Sequence, residues 1–243
     1  MQRPSDRPTP PILLRAGHDW LNRVNHKRKQ LAELGLSAGQ QEGLERWTES
    51  EFVACNLRLE GTEISRERVA QLALASGDND SLGDDESRAA TLLRSLRKVS
   101  HVSRTKRQLA VLTPKFFLDI HPPRAQERFR VEAGDVAKRA LDAACRWFTA
   151  DSFNELHAIE QASIVMLRLL ELPSFPEANE PTVLVAASLF TMRSELPPII
   201  VTPETQIAYR TALDEGRQMN LKPLVELIAQ SVERTINEMV VRV

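Results

Sequence analysis

The residues with the clearest potential for chemistry lie in one short loop and at two histidines. A polar loop at 173–180 separates two apolar helical segments and contains Glu177 and Asn179. A carboxylate in such a loop is a candidate ligand for a divalent metal, although a lone carboxylate is more often simply solvated. His121 and His157 are candidate bases because histidine titrates near neutral pH, but a lone histidine more often has a structural role. Glu177 is therefore a weak candidate metal ligand, with the base left open.

A basic stretch at 94–107 is the strongest local concentration of charge. It consists of Arg94, Arg97, Lys98, Arg104, Lys106 and Arg107. We interpret it as a solvated helix face followed by a connecting loop, because it lacks the interleaved aromatic residues that bind nucleic-acid bases. The formal net charge of −1 gives the chain no overall attraction for nucleic acid or for an anionic membrane. We expect neither as a partner.

The two cysteines and the N-terminal sequence bear on the compartment. Cys55 and Cys145 lie far apart in apolar helical contexts, which predicts buried free thiols. The first residues contain Pro and Asp where a signal peptide needs an unbroken apolar run. No segment approaches the roughly 18 apolar residues of a membrane span. We therefore expect a reducing, cytoplasmic compartment and no membrane association.

The composition favours an all-α fold. The hydrophobic fraction is 42% and the charged fraction 27%, which are ordinary values for a globular protein. Nine Gly and one Tyr are few for an all-β protein, whereas Ala, Leu, Arg, Glu and Gln are strong helix formers. Apolar spacing and capping signals predict helices over about 12–34, 41–61, 65–75, 86–99, 113–120, 135–149, 152–172, 181–192, 203–215 and 222–240. The alternation at 128–134 predicts one short β-hairpin.

The domain organisation follows from the same pattern. Residues 1–11 contain four prolines and are expected to be a flexible lead-in. No linker divides the remainder, so 12–243 are predicted to form a single helical domain. Its N-terminal helices occupy 12–75 and its core 86–240.

Several stretches occur in an order that is typical of one protein family. Residues 52–69 contain Asn56, Glu60 and Gly61. In that family's inhibitory helix, the first of these positions is Ser or Thr, the second is Glu, and the third is Gly or Asn. Stretches at 112–121, 155–190 and 205–236 follow in the places of the family's core helices. In this order the chain resembles the Fic-domain family over roughly residues 44–236. The resemblance implies an all-α, Fic-like helical domain with a short β-hairpin flap.

The family's active-site loop reads His-Pro-Phe-x-(Asp/Glu)-Gly-Asn-Gly-Arg-x-x-Arg and falls on residues 173–184 without a gap. Phe175, Glu177 and Asn179 agree with it. The other six fixed positions differ; they are Pro173, Ser174, Ala178, Glu180, Pro181 and Leu184.

The resemblance implies transfer of AMP from ATP to protein hydroxyls, and the six differences impair each part of that reaction. Pro173 has no titratable group to act as the base, a loss that typically removes about 10²- to 10⁴-fold in rate. Ala178 adds a Cβ to the phosphate-binding turn and Glu180 adds a negative charge there. Pro181 and Leu184 replace the two arginines that would neutralise the phosphates.

The inhibitory-like segment has lost its expected counterpart as well. In the family, the inhibitory Glu pairs with the second loop Arg, and that position is Leu184 here. We therefore interpret Glu60 as a helix-end residue followed by a Gly61 C-cap. Asn56 is predicted to lie on a helix surface or in a cap.

Two functional hypotheses remain open from the sequence. In the first, the chain is catalytically inactive or strongly impaired and acts as a binding or regulatory scaffold, with a protein partner or as a homodimer. In the second, it is an enzyme with altered nucleotide or phosphoryl-transfer chemistry that uses Glu177 and Asn179. No cofactor is expected under the first, whereas the second requires ATP with Mg²⁺.

Overall fold

The computed structural model describes residues 19–74, 82–106, 112–122, 126–127, 135–172 and 179–243. Within these ranges the chain forms α-helices and two short 3₁₀ turns, and it contains no strand. The all-α prediction is confirmed, whereas the predicted hairpin at 128–134 lies outside the described residues. The helices are α1 (Asp19–Glu33), α2 (Ala38–Leu57), α3 (Arg66–Leu74), α4 (Asp84–Thr105), α5 (Pro114–Asp119), α6 (Asp135–Trp147), α7 (Asp151–Asn154), α8 (Ala158–Leu170), α9 (Asn179–Arg193), α10 (Gln206–Arg217) and α11 (Lys222–Val241).

Side-chain caps fix where several helices begin. The Ser65 hydroxyl accepts from the Arg68 backbone N–H at 3.1 Å, so Ser65 caps α3 as the sequence predicts. Thr113 caps α5 in the same way, and Pro114 occupies the first helical position, where its missing N–H is harmless.

Two predicted helix boundaries were wrong. The helix predicted over 152–172 is interrupted, because the His157 side chain caps a new helix at Ile159 and Glu160 completes the capping box. The helix predicted over 86–99 continues to Thr105. The basic residues up to Arg104 therefore lie on α4 rather than in a loop.

Carboxylates on neighbouring helices neutralise much of that basic face. Arg97 donates to both carboxylate oxygens of Glu49 on α2, at 2.8–3.1 Å. Arg104 lies 2.9 Å from Glu45 on the same helix. The stretch thus fastens α4 to α2, which supports the interpretation as a solvated helix face.

Helix α9 is the centre of the core. It packs against α8 on one side and α4 on the other, and every residue from Glu180 to Thr191 is buried. α1 packs on α11, which in turn contacts α8 and α10. Cys55 and Cys145 are buried free thiols, as predicted, and burial raises the pKa of each to about 12. None of the described helices has both the length and the apolar character needed to cross a membrane.

An extended, buried segment at 196–202 joins α9 to α10. A buried backbone without a partner strand must find its hydrogen bonds elsewhere. The Ile199 N–H donates to the Ser188 hydroxyl on α9, and the Ser231 hydroxyl on α11 bonds both the N–H and the carbonyl of Ile200. Side chains of the surrounding helices thus take the place of a sheet.

Candidate functional site

The first turn of α9 is the part of the predicted active-site loop that the structure describes. Helix α9 begins at Asn179, two residues before the predicted start, and Pro181 lies in its first turn, where proline is tolerated. The rest of the loop lies outside the described residues: Pro173, Ser174, Phe175, Glu177 and Ala178, together with the side chain of Asn179. The proposed metal ligation by Glu177 therefore stays a prediction.

A partly buried ion pair occupies this helix end. The Glu180 residue is 8% exposed, and its Oε1 lies 2.7 Å from Nη1 of Arg210 on α10. The other terminal nitrogen of Arg210 donates to the Leu59 carbonyl at 3.0 Å. One guanidinium thus joins the start of α9 to the 3₁₀ turn Arg58–Glu60, which follows α2.

The electrostatics at Glu180 are dominated by its burial. Desolvation raises the pKa of its carboxyl above the ordinary value, and Arg210 only partly opposes that shift. The adjacent Tyr209 is fully buried, and its pKa is raised well above the usual range by burial and by the Glu180 charge. Because Glu180 belongs to the first turn of α9, its carboxylate lies at the positive end of the helix dipole, where a bound anion would lie.

A second ion pair lies beside the first. Glu60 Oε2 is 2.7 Å from Nη2 of Arg88 on α4, so Glu60 has acquired a cation that the loop sequence does not contain. Gly61 follows with a φ of 78°, the left-handed conformation of a C-cap that the sequence led us to expect. The Glu60 charge also disfavours ionisation of Glu180, so the two carboxylates are close enough to interact.

The position of the second family arginine now belongs to the hydrophobic core. Leu184 has no exposed surface, and its neighbours in α9 are equally buried. Met166 in the adjacent helix α8 is also fully buried. Neither side chain is accessible to a ligand.

Asn56 has a structural role that differs from the predicted one. It is fully buried rather than on a helix surface. Its side-chain amide donates to the Ile199 carbonyl at 3.1 Å and accepts from the Val201 N–H at 2.9 Å. The amide thus pairs with the extended segment 196–202 as a neighbouring strand would, bonding groups of two different residues, Ile199 and Val201.

The two histidines have structural roles. His121 is buried, its Nδ1 lies 2.9 Å from the Phe117 carbonyl, and burial lowers its pKa to about 4. His157 caps α8. Arg193 at the end of α9 bonds Gln161 near the start of α8, so the two helices are antiparallel. His157 is thus separated from the start of α9 by most of α8, about 20 Å at about 1.5 Å per residue.

Sequence reasoning missed Arg88 and Arg210, the two cations of this site. Both lie far from the loop in sequence, on α4 and α10. Arg210 falls within the stretch 205–236 that resembles the family's core helices, and that resemblance was the available signal. Only the fold brings these helices together at the start of α9.

Comparison with solved structures identifies the fold. A fragment of Fic-1 from Caenorhabditis elegans superposes with a TM-score of 0.81 at 19% identity, covering 93% of this chain and 72% of that one. A Fic-domain-containing signalling protein from Bacteroides thetaiotaomicron gives 0.73 at 12% identity, covering 92% and 96%. The helices around α8 and α9 therefore form a Fic fold.

Sequence comparison agrees with the fold. No family profile matches the chain. The protein adenylyltransferase fic-1 of Caenorhabditis elegans is 28% identical over 109 residues, which are 45% of this chain and 22% of that protein. The Fic protein of Nematostella vectensis is 26% identical over 121 residues, or 50% and 26%. The chain is thus similar to Fic proteins over about half of its sequence, and its match spans about a quarter of these relatives' length.

Proposed function

We propose that this chain is a Fic-fold protein whose AMP transfer is lost or strongly impaired, and that it acts as a binding or regulatory scaffold. The observation that carries the proposal is the Glu180–Arg210 pair at the first turn of α9. An incoming phosphate would have to displace a carboxylate that already has a cation 2.7 Å away.

The sequence of the loop supports the same conclusion from the side of catalysis. Pro173 offers no group to accept the hydroxyl proton. The histidines considered as substitutes are not available, because His121 is buried against Phe117 and His157 is at the far end of α8. The missing base and the occupied helix end together leave the usual reaction without two of its requirements.

The scaffold function needs a partner, which we propose to be another protein or a second copy of this chain. The relatives are named as protein adenylyltransferases, and the region matched is a minor part of their length. Their activity is therefore not carried over to this chain. The buried free thiols favour the cytoplasm as its compartment.

The test is a ligand panel measured by thermal shift, together with labelling by ATP radiolabelled at the α-phosphate. Purified protein is mixed with ATP, ADP, GTP and CTP, with and without Mg²⁺. We expect no saturable rise in melting temperature and no transfer of label to the protein or to added protein substrates. The Caenorhabditis elegans relative serves as the positive control. A saturable, Mg²⁺-dependent shift without transfer of the label would favour altered nucleotide chemistry, whereas transfer of the label would show that AMP transfer is retained; either result would contradict the proposal.

A matched pair of variants examines the role of the carboxylate. Glu180→Gly removes the charge from the start of α9, whereas Glu171→Gly removes an exposed carboxylate at the end of α8. We expect weak ATP binding to appear only in Glu180→Gly, because Arg210 then lacks its partner. Equal ATP binding by the wild type and Glu180→Gly would show that the carboxylate does not exclude the ligand.

A further inference from the structure

The link between Glu180 and the 3₁₀ turn 58–60 runs through a single side chain. Arg210 holds Glu180 through one terminal nitrogen and the Leu59 carbonyl through the other, at 2.7 and 3.0 Å. The planar guanidinium suits this double role, because its donors point in fixed, divergent directions. Neither contact is a local one, since they span 30 and 151 residues.

The turn itself also packs directly on α2 and α9. Leu59 is buried, and the turn is closed by backbone bonds from Gly61 to Arg58 and from Thr62 to Leu57. The Glu60 side chain accepts a hydrogen bond from Arg88 on α4. Two arginines, one from α4 and one from α10, thus add polar contacts to the packing of the turn.

We propose that Arg210 is a latch that couples the first turn of α9 to the turn that ends α2, so that a change at Glu180 alters the stability of residues 58–62. The latch involves the same first turn of α9 that we propose to be closed to an incoming phosphate. It rests on the contacts alone, and it applies whether or not that helix end binds a nucleotide.

The physical reason is the different fate of the guanidinium with and without its carboxylate. With Glu180 present, Arg210 is neutralised and oriented, so its second nitrogen stays on the Leu59 carbonyl. Without Glu180, the half-exposed Arg210 has water as a competing partner, and the bond to Leu59 loses its orientation. The carboxylate thus acts on the turn at a distance.

Amide hydrogen exchange of the full chain tests the latch. We expect Glu180→Ala to speed exchange of the Gly61 and Thr62 amides by about tenfold, a typical size for coupled neighbours. Asp214→Ala is the matched control, because it breaks an exposed pair with Arg217 on the same helix and should leave these amides unchanged.

A double-mutant cycle separates the latch from direct packing of α9 on the turn. In an Arg210→Ala background, Glu180→Ala should have no further effect on the Gly61 and Thr62 amides. Arg210→Lys, which keeps the charge but not the fork, should speed their exchange and still fold if Arg210→Ala does not. An unchanged turn in Glu180→Ala, or an undiminished effect without Arg210, would overturn the latch while leaving the nucleotide results untouched.

Discussion

Leu184, which the resemblance places at an arginine of the Fic loop, is part of the hydrophobic core. Its side chain is fully buried within α9, between the helices α8 and α4. A charged group there has no described counter-ion and no access to water. Restoring the family's loop residue would therefore disturb folding before it restored chemistry.

Leu184→Arg is expected to destabilise the protein by about 3–5 kcal/mol, because it buries an unpaired charge. Urea unfolding followed by circular dichroism measures the change. Leu184→Met is the control, since it nearly conserves volume and should lose less than about 1.5 kcal/mol. An arginine variant as stable as the methionine variant would show that position 184 opens to solvent.

Glu180 should contribute to the pH dependence of the protein's stability. Its pKa is raised in the folded state, so between the ordinary pKa of a Glu and the raised one the folded protein binds more protons than the unfolded chain. The contribution of Glu180 is therefore fully present at low pH and is lost as pH rises through the folded pKa.

Compared with Glu180→Gln, the wild type should lose stability as pH rises from about 4 to 7. Urea unfolding of both proteins over that range measures the difference. Glu171→Gln corrects for removing an exposed charge. If the wild type instead became more stable relative to Glu180→Gln as pH rises, the stabilisation of the ionised carboxylate by Arg210 would outweigh the cost of burying it.

Sequence reasoning at this scale does not depend on the fold where a residue type is chemically decisive. Pro173 cannot be a base in any fold, and the negative charge of Glu180 was expected to oppose an anion. The partners of Glu60 and Glu180 could not be predicted, because an ion pair across 28 or 30 residues depends on which helices meet.

At the scale of elements, the helices depend on side chains that serve a neighbouring segment. Asn56 belongs to α2 by sequence, yet its amide completes the backbone hydrogen bonding of the extended segment 196–202. The position that the inhibitory motif assigns to a hydroxyl residue is therefore used to hold the connection between α9 and α10.

Asn56→Ala should cost about 2–4 kcal/mol, because it leaves a buried N–H and a buried carbonyl without partners. Chemical denaturation gives the value. Asn220→Ala removes an exposed side-chain bond to Glu215 and should change stability by less than about 0.5 kcal/mol. Equal effects of the two variants would show that water replaces the amide within the core.

Helix starts were predictable at this scale and helix interruptions were not. Ser65 and Thr113 mark the starts of α3 and α5 in the sequence, because a hydroxyl N-cap accepts from a backbone N–H within three residues. The break before α8 was missed because its cap is a histidine, a residue that is not among the preferred N-caps. The role of Asn56 was missed because its partners lie more than 140 residues away.

At the scale of the whole molecule, one hydrophobic core runs from Trp20 in α1 to Ile236 in α11. The terminal helices are also joined at the surface, where Arg23 pairs with Glu233 at 3.1 Å. The single helical domain over 12–243 stays a prediction.

Unfolding should therefore be a single cooperative transition. Trp20, Trp47 and Trp147 lie on α1, α2 and α6, so tryptophan fluorescence samples three regions, while circular dichroism reports all helices. We expect the two signals to coincide across a urea titration. If helix content fell before the fluorescence changed, or if the titration showed two resolved steps, the core would consist of units that unfold separately.

The extended segment 196–202 also has a consequence for misfolding. Its apolar run from Ile199 to Val201 has high β-propensity, and in the native state three helices occupy its hydrogen-bonding groups. When the fold opens, those groups become available to another chain, as at an uncovered sheet edge. Pro197 and Pro198 immediately before the run interrupt such pairing, so they act as gatekeepers against aggregation in a protein built almost wholly of helices.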